Sequence, residues 1–468
     1  MSKRRHNSWR EALVVHAFKN NGLYIAVDTN SGSIFGIDEV TYEILKAFPE
    51  DFSREKAVEK LSGMFDITTV DEACDEIENL KEQGLLYSSE LDETGLLEQL
   101  DNNNGLKALC LHIAHGCNLA CEYCFASKGD YCTGNQLMSE EVAMLAMDYL
   151  AEHSGNRKNV EIDFFGGEPL INFDVVKKAV AYGEKIESRS GKTFHFTITT
   201  NGTLLDKDKI DFINEHMDNV VISLDGRKYV HDMMRIYRNG SGSYDDIVNA
   251  ARELVKSRHG KSYFVRGTFT NKNLDFSEDI FHIAGLGFDE VSIEPVVGSG
   301  ETFHITREHI PAILDEYEKL AKKYLEYIKS GNKLRFYHFN LELFKGPCIQ
   351  RRIVACGAGF EYLAVSPEGH FYPCHQFVGQ KQFIMGDVYK GLRDTQGISE
   401  QFRGCNVITK EECRKCWAKY YCSGGCHANA YFSNGSISIP NELACIMQRK
   451  RIECAIMIEV ASSGFEDN

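Results

Sequence analysis

The sequence predicts an α/β fold: a partial (β/α)6 barrel over 105–330, with a smaller domain at 1–92 and a cysteine-rich one at 340–468. Three observations predict it. In the middle of the chain, apolar β-branched runs alternate with helical periods, as parallel strands with crossover helices require. The first hundred residues instead read as a hairpin followed by short helices. The cysteines, scarce at first, form a tight group near 110–132 and a dense one from 348 to 454.

In LYIAVDTNSGSIFGID two short strands flank Asn30, Ser31 and Gly32, which offer the positive φ of a tight turn. The segments DEVTYEILKAF, SREKAVEKLSGMF and VDEACDEIENLKEQGLL space apolar residues three or four apart, with Ser53 and Asp71 as expected N-caps. A final strand-like LLYS completes a winged-helix pattern, and ETGLLEQLDNNNGLKA reads as the linker. The barrel strands are LCLHIAHG, NVEIDFFGG, FHFTITTNG, NVVISLDG, YFVRGTFT and EVSIEPVV, and the site belongs at their C-terminal ends.

A net charge of -16 opposes binding to nucleic acid or anionic lipid. No uninterrupted apolar run reaches the roughly 18 residues that a membrane span needs. The basic N-terminus is broken by Arg10 and Glu11 before it can act as a signal peptide, so a cytoplasmic location is expected. In that compartment sixteen cysteines point to metal or redox chemistry rather than to disulfides.

After the first barrel strand, Cys117, Cys121 and Cys124 have the spacing C-x-x-x-C-x-x-C. Three thiolates on one loop can hold three irons of a [4Fe–4S] cube and leave the fourth iron open to a small molecule. A zinc loop completed by His112 or His115 is the alternative. Cys110 and His112 alternate with apolar residues and are expected to be packed within the strand. After the second strand, Gly166, Gly167 and Glu168 combine close backbone approach with a negative charge suited to an ammonium group.

With these motifs the chain resembles the radical S-adenosylmethionine (SAM) superfamily. The resemblance covers the cysteine loop with Tyr123 after its second cysteine, the Phe-Gly-Gly-Glu-Pro run, and the Ser223-x-Asp225-Gly run after the fourth strand. It implies that SAM chelates the open iron through its amino and carboxylate groups, that Glu168 and the glycines receive the amino group, and that the backbone at Phe125 runs along the adenine. It further implies that Ser223 and Asp225 serve the ribose, that Arg235 pairs with the carboxylate, and that Thr199, Thr200 and Asn201 line the same rim. As a bare motif, Asp225-Gly226 also reads as a turn.

From Cys356 the chain runs C-x12-G-x4-C to Cys374, then through Cys413, Cys416, Cys422 and Cys426 to Cys445. This spacing resembles the SPASM domain of peptide-modifying radical SAM enzymes. The resemblance implies three [4Fe–4S] clusters in all, with Cys413, Cys416, Cys422 and Cys445 on a distal auxiliary cluster and Cys356, Cys374 and Cys426 on a proximal one. Cys348 is a candidate fourth proximal ligand; if it does not serve, that cluster is open to a substrate thiolate. Cys74, Cys132, Cys405 and Cys454 fit no ligand pattern and read as ordinary thiols.

Across nearly its whole length the chain is similar to the maturases of six-cysteines-in-forty-five (SCIFF) peptides. The activity this implies is thioether formation between a Cys sulfur and a carbon of another residue in a ribosomally made precursor. The implied partners are that precursor, its leader held by the N-terminal domain through β-augmentation, and an electron donor such as flavodoxin or ferredoxin. A formylglycine-forming oxidase of the anaerobic sulfatase-maturase type would use the same clusters.

Overall fold

The computed structural model describes residues 14–101, 105–298, 302–341 and 352–463. Three antiparallel strands, β1 (Val15–Asn20), β2 (Leu23–Asp28) and β3 (Ile34–Ile37), open the fold in the order β1-β2-β3. Asn21 and Gly22, at φ 47 and 88, form the two-residue turn between the first pair. In the second turn only Gly32 has a positive φ, not Asn30 or Ser31.

Helices α1 (Glu39–Ala47), α2 (Arg54–Leu61) and α3 (Ile67–Glu82) follow. Strand alternation buries both faces of the small sheet. Val15 and Ala26 join Ile44, Leu45, Val70 and Ile77 in a core of their own, whereas Phe18, Ile25 and Val27 pack into the main core.

Local details here differ from the sequence expectation. Asp66, not Asp71, caps α3 by accepting from Thr68 N, because the helix begins a turn earlier than its apolar period. Ser53 precedes α2 but donates to Glu55 instead of capping the backbone. The LLYS segment forms no strand: Leu86 is buried, Tyr87 has φ 49, and the Asp28 carboxylate captures Ser88. The expected linker is in part helical, over Glu93–Asp101.

The large sheet contains β4 (Ala108–His115), β5 (Gln136–Leu137), β6 (Asn159–Gly166), β7 (Thr193–Thr200), β8 (Asn219–Ser223), β9 (Ser262–Phe269), β10 (Glu290–Pro295) and β11 (Arg335–Phe336). Apart from β5, which pairs antiparallel with β4, these strands are parallel in the order β4-β6-β7-β8-β9-β10-β11. The six expected strands are all present, and β11 adds a short seventh. Leu109, Ile162, Ile198, Ile222, Val265 and Ile293 point outward to the helices and form the main core. The alternate positions, including Cys110, Asp163, Ser223, Arg266 and Glu294, therefore line the concave face.

The C-terminal segment builds onto the same sheet. Strand β12 (Tyr362–Val365) pairs parallel with β4, and β13 (His370–Tyr372), β14 (Gly386–Asp387) and β15 (Gly391–Leu392) extend it antiparallel. The last helix, Glu442–Ser462, packs along helix Ile310–Lys329 and against β1. There Glu453 meets His16 at 3.0 Å, and the His16 ring stacks on Trp417 at 4.0 Å. Among the described residues no helix is long and apolar enough to cross a membrane.

Candidate functional site: three cysteine groups around the barrel mouth

The loop after β4 carries Cys117, Cys121 and Cys124, each thiol within electrostatic reach of the other two. Backbone bonds from Ala120 N to Ile236 O and from Glu122 N to Met234 O tie this loop to the segment after β8. Close glycine packing sets it against β6. Gly166 has φ 130, where a side chain would meet the Ala114 carbonyl, and a side chain on Gly167 would meet the Gly116 carbonyl. Burial pushes the Cys117 thiol up to about 12, with the Glu168 charge adding to the effect, and also raises Cys121. Such thiols become ligands when bound cations supply the missing positive charge.

Glu168 is fully buried. Its carboxylate accepts from Leu170 N at 3.1 Å, Thr200 Oγ1 at 2.7 Å and Asn201 N at 2.8 Å, which joins the ends of β6 and β7. Burial raises its pKa to about 7 against the pull of these donors. Thr200 thus holds Glu168, while Asn201 donates to Cys117 Sγ at 3.6 Å and to Asn118 at 3.0 Å.

Three residues singled out in the sequence meet one another. Tyr123 Oη donates to both oxygens of Asp225, at 2.8 and 2.6 Å, and accepts from Arg235 Nη1 at 2.8 Å. Asp225 also accepts from Thr268 N at 3.0 Å. Arg235 thus donates to Tyr123 and feels the Asp225 charge, while its buried Nε has no hydrogen-bond partner among the described residues. Ser223 ends β8 on the concave face, and Phe125 is half exposed, edge-on to Tyr131 and His375.

Four C-terminal cysteines come together. Cys413, Cys416, Cys422 and Cys445 line one cavity beside Pro440 and Arg449. Burial raises Cys413 and Cys445 to about 12. Cys356, Cys374 and Cys426 form a further mutually interacting set, in which Cys374 is raised first by burial and then by Cys426 and Cys356. Cys348 lies outside the described residues. Cys405 is buried and donates to Ile437 O at 3.1 Å, Cys454 accepts from Asn20, and Cys74 packs in the N-terminal core; Cys132 is exposed.

The residues fit iron–sulfur clusters by the chemistry of their donors: three thiols on one loop, then sets of four and three, mostly buried or half-buried, with Cys356 and Cys426 exposed. Among the described residues no three His, Cys, Asp or Glu side chains are grouped tightly enough for a single metal ion.

Sequence reasoning missed the aromatic bridge between two of these sets. Tyr131, wholly buried, donates to Gly166 O at 3.2 Å, stacks on His115 at 4.6 Å, and lies within electrostatic reach of Cys117, Cys124 and Cys374. His112 and His115 share a 3.3 Å hydrogen bond, and burial lowers both, His115 to about 4. Also missed was a buried charge cluster on the concave face. Arg451, from the last helix, donates to Glu294 Oε2 at 3.0 Å, and His338 approaches Glu294 at 3.4 Å. Burial alone would raise the Glu294 carboxyl, yet Arg451, His338 and Arg266 hold it at about 2. Arg451 also acts on Cys422, linking the barrel interior to the four-cysteine set.

Comparison with known proteins agrees with this geometry. The family model described as "Radical SAM superfamily" matches residues 111–278, which span the cysteine loop through the helix after β9. An uncharacterised protein of Methanocaldococcus jannaschii is 30% identical over 236 residues, covering 49% of this chain and 76% of that protein. A radical SAM cyclopropyl synthase, TigE, of Paramaledivibacter caminithermalis is 21% identical over 90% of this chain and 91% of its own. A cysteine-type anaerobic sulfatase-maturating enzyme of Clostridium novyi is 26% identical over 71% and 91%. In fold, the chain is similar to anSMEcpe bound to SAM and a peptide (TM-score 0.64, 20% identity, 77% of this chain and 99% of that one). It is also similar to Streptococcus suis SuiB bound to its precursor peptide SuiA (TM-score 0.52, 14% identity, 93% and 99%). With its cysteine loop, its glycine-seated β6 and a relative matched over three quarters of that protein's length, this chain belongs to the radical SAM superfamily.

Proposed function

We propose that this protein is a peptide maturase that forms intramolecular thioether links between a cysteine sulfur and a backbone or side-chain carbon of a ribosomally made precursor. The observation that carries the reading is the grouping of ten cysteines into sets of three, four and three, the first at the barrel mouth. When bound, a reduced [4Fe–4S] cluster and SAM supply a 5′-deoxyadenosyl radical able to take hydrogen from an unactivated carbon.

In this reading Cys117, Cys121 and Cys124 hold the SAM-binding cluster. Gly166, Gly167, Glu168 and Thr200 shape the amino-group end of the SAM site, and Phe125, Ser223 and Asp225 its nucleoside end. Tyr123 and Arg235 brace the loop from behind. Cys413, Cys416, Cys422 and Cys445 hold one auxiliary cluster. Cys356, Cys374 and Cys426 hold another, either completed by Cys348 or open to the substrate thiol. Because thioether formation removes two hydrogens per link, the auxiliary clusters would carry the surplus electron, and flavodoxin or ferredoxin would serve as donor for SAM cleavage.

Residues 1–92 would act as a winged-helix-like leader-recognition domain. The support is its edge strand β3, whose outer side pairs with no other strand among the described residues and can take an extended peptide by β-augmentation. A formylglycine-forming reaction is the second reading, favoured by the sulfatase-type relative. That relative matches 71% of the chain, whereas the cyclopropyl synthase and SuiB match 90% and 93%.

The test is anaerobic incubation of the reconstituted enzyme with SAM, reductant and a candidate cysteine-rich precursor peptide, followed by tandem mass spectrometry. Loss of two hydrogens per link, with all sulfur retained, supports the thioether reading. Loss of sulfur from a cysteine supports formylglycine formation, and an unchanged peptide mass contradicts both.

A further inference from the structure

Arg266 stands on the concave face of β9, between strands whose paired residues are Ser223 on β8 and Ser292 on β10. Its outward-facing neighbours Val265 and Gly267 are buried, while Arg266 itself is exposed, within the barrel. Among the described residues its guanidinium has no hydrogen-bond or ion-pair partner. Exposed on the concave face, its guanidinium is open to a charged group that enters the barrel.

The neighbouring charges do not neutralise it. Glu294, whose carboxylate the Arg266 charge helps to hold low, is already engaged by Arg451 at 3.0 Å. His338 also feels the Arg266 charge and is held neutral at about 3, mainly by burial. Asp163 shares a row with Thr197, Asn219 and Ser262, four residues below Arg266 along β9, or about 13 Å at the rise of a strand. The upper concave face around β9 and β10 thus has one surplus positive charge, inside a chain of net charge -16.

We propose that Arg266 binds a carboxylate of the peptide substrate, an Asp or Glu side chain close to the reacting residue, and so makes the barrel selective for acidic core sequences. A guanidinium presents paired N–H donors that match a carboxylate in planar, two-pronged fashion. The other source of a carboxylate is the methionyl end of SAM. That end belongs near the cysteine loop and β6 in the proposed reading, and the SAM affinity of the Arg266 variants separates the two sources. The inference rests on the peptide-maturase reading and adds to it a substrate class.

The test uses the reconstituted full-length enzyme and a cysteine-rich precursor peptide that it modifies, with each acidic core residue changed in turn to its amide. Peptide affinity is measured by fluorescence anisotropy with SAM present, and SAM affinity by equilibrium dialysis, for the wild type, R266Q and R266K. In the wild type one acid-to-amide change weakens peptide binding about tenfold, as loss of a charge-assisted hydrogen bond does. In R266Q the acidic and amide peptides bind alike while SAM affinity is unchanged, and R266K restores part of the preference. An undiminished preference in R266Q overturns the proposal, as does a precursor core without acidic residues. Loss of SAM affinity in R266Q assigns the residue to SAM instead. If the wild type binds SAM but no form of the precursor, the peptide reading fails and this inference with it.

Discussion

The phenol of Tyr123 donates to the carboxylate of Asp225, which lies 102 residues further along the chain, and thereby clasps the cysteine loop to the end of the fourth barrel strand. Arg235 closes the arrangement by donating to the same phenol at 2.8 Å. A ring, an acid and a base hold one another and fix the loop to the strand end.

That clasp is tested by Tyr123→Phe. The change leaves a fully buried carboxylate short of a donor and Arg235 short of an acceptor, at a cost of about 1–3 kcal/mol. The expected result is a lower urea midpoint for the cluster-free protein, with the slope of the transition unchanged.

Asp163 gives a pH-dependent prediction. Burial, assisted by Glu161, raises its pKa from 3.8 to about 6 in the folded protein. Because the folded value lies above the unfolded one, the associated stability is fully present below pH 3.8 and is lost as pH rises through about 6. Asp163→Asn removes this dependence. Urea unfolding across the interval should show the variant gaining on the wild type by about 2–3 kcal/mol as pH rises. A constant difference would show that Asp163 does not titrate in this way.

The Glu294–Arg451 pair joins the barrel to the last helix and is partly buried. Arg451→Met leaves the carboxylate without its main partner and should destabilise the protein by about 1–3 kcal/mol. Adding Glu294→Gln should recover much of the loss, because no uncompensated charge then remains. A double variant as unstable as the sum of the two single ones would contradict the pairing.

Much of the site was legible before the fold was known, and the reason is distance along the chain. The candidate ligand thiols lie in short motifs, C-x-x-x-C-x-x-C and C-x-x-C-x5-C-x3-C, which mark them in the sequence, while their division into sets of four and three is what the family resemblance implies. The barrel strands were legible because both chemistry and period mark them. What escaped depends on contacts between remote segments. Arg451 is one basic residue in a charged stretch of helix until the fold sets it against Glu294, 157 residues away. Tyr131 follows the cysteine loop without a period to mark it, and the hydrogen bond from Arg235 to Tyr123 spans 112 residues. The misplaced cap at Asp71 and the absent strand at LLYS are local errors of another kind. Asp66 outcompetes Asp71 by starting the helix earlier, and Asp28 draws Ser88 out of any ladder.

The cysteine sets predict metal content. Cys413→Ala and Cys445→Ala should each lose the same complement, roughly four iron atoms, because both remove a ligand of one cluster. Cys405→Ala should keep its iron, since that thiol is spent on the Ile437 carbonyl. Iron and sulfide analysis of anaerobically reconstituted protein checks this, and iron loss in the Cys405 variant would contradict the grouping.

The most direct test is whether reduction of the reconstituted protein with SAM yields 5′-deoxyadenosine. The wild type should produce it, and Cys117→Ala, Cys121→Ala and Cys124→Ala should each abolish it while the iron of the other two cysteine sets remains. Intact SAM in a fully loaded wild type, or 5′-deoxyadenosine from any of the three variants, would contradict the assignment of the loop after β4 as the SAM-cleaving centre.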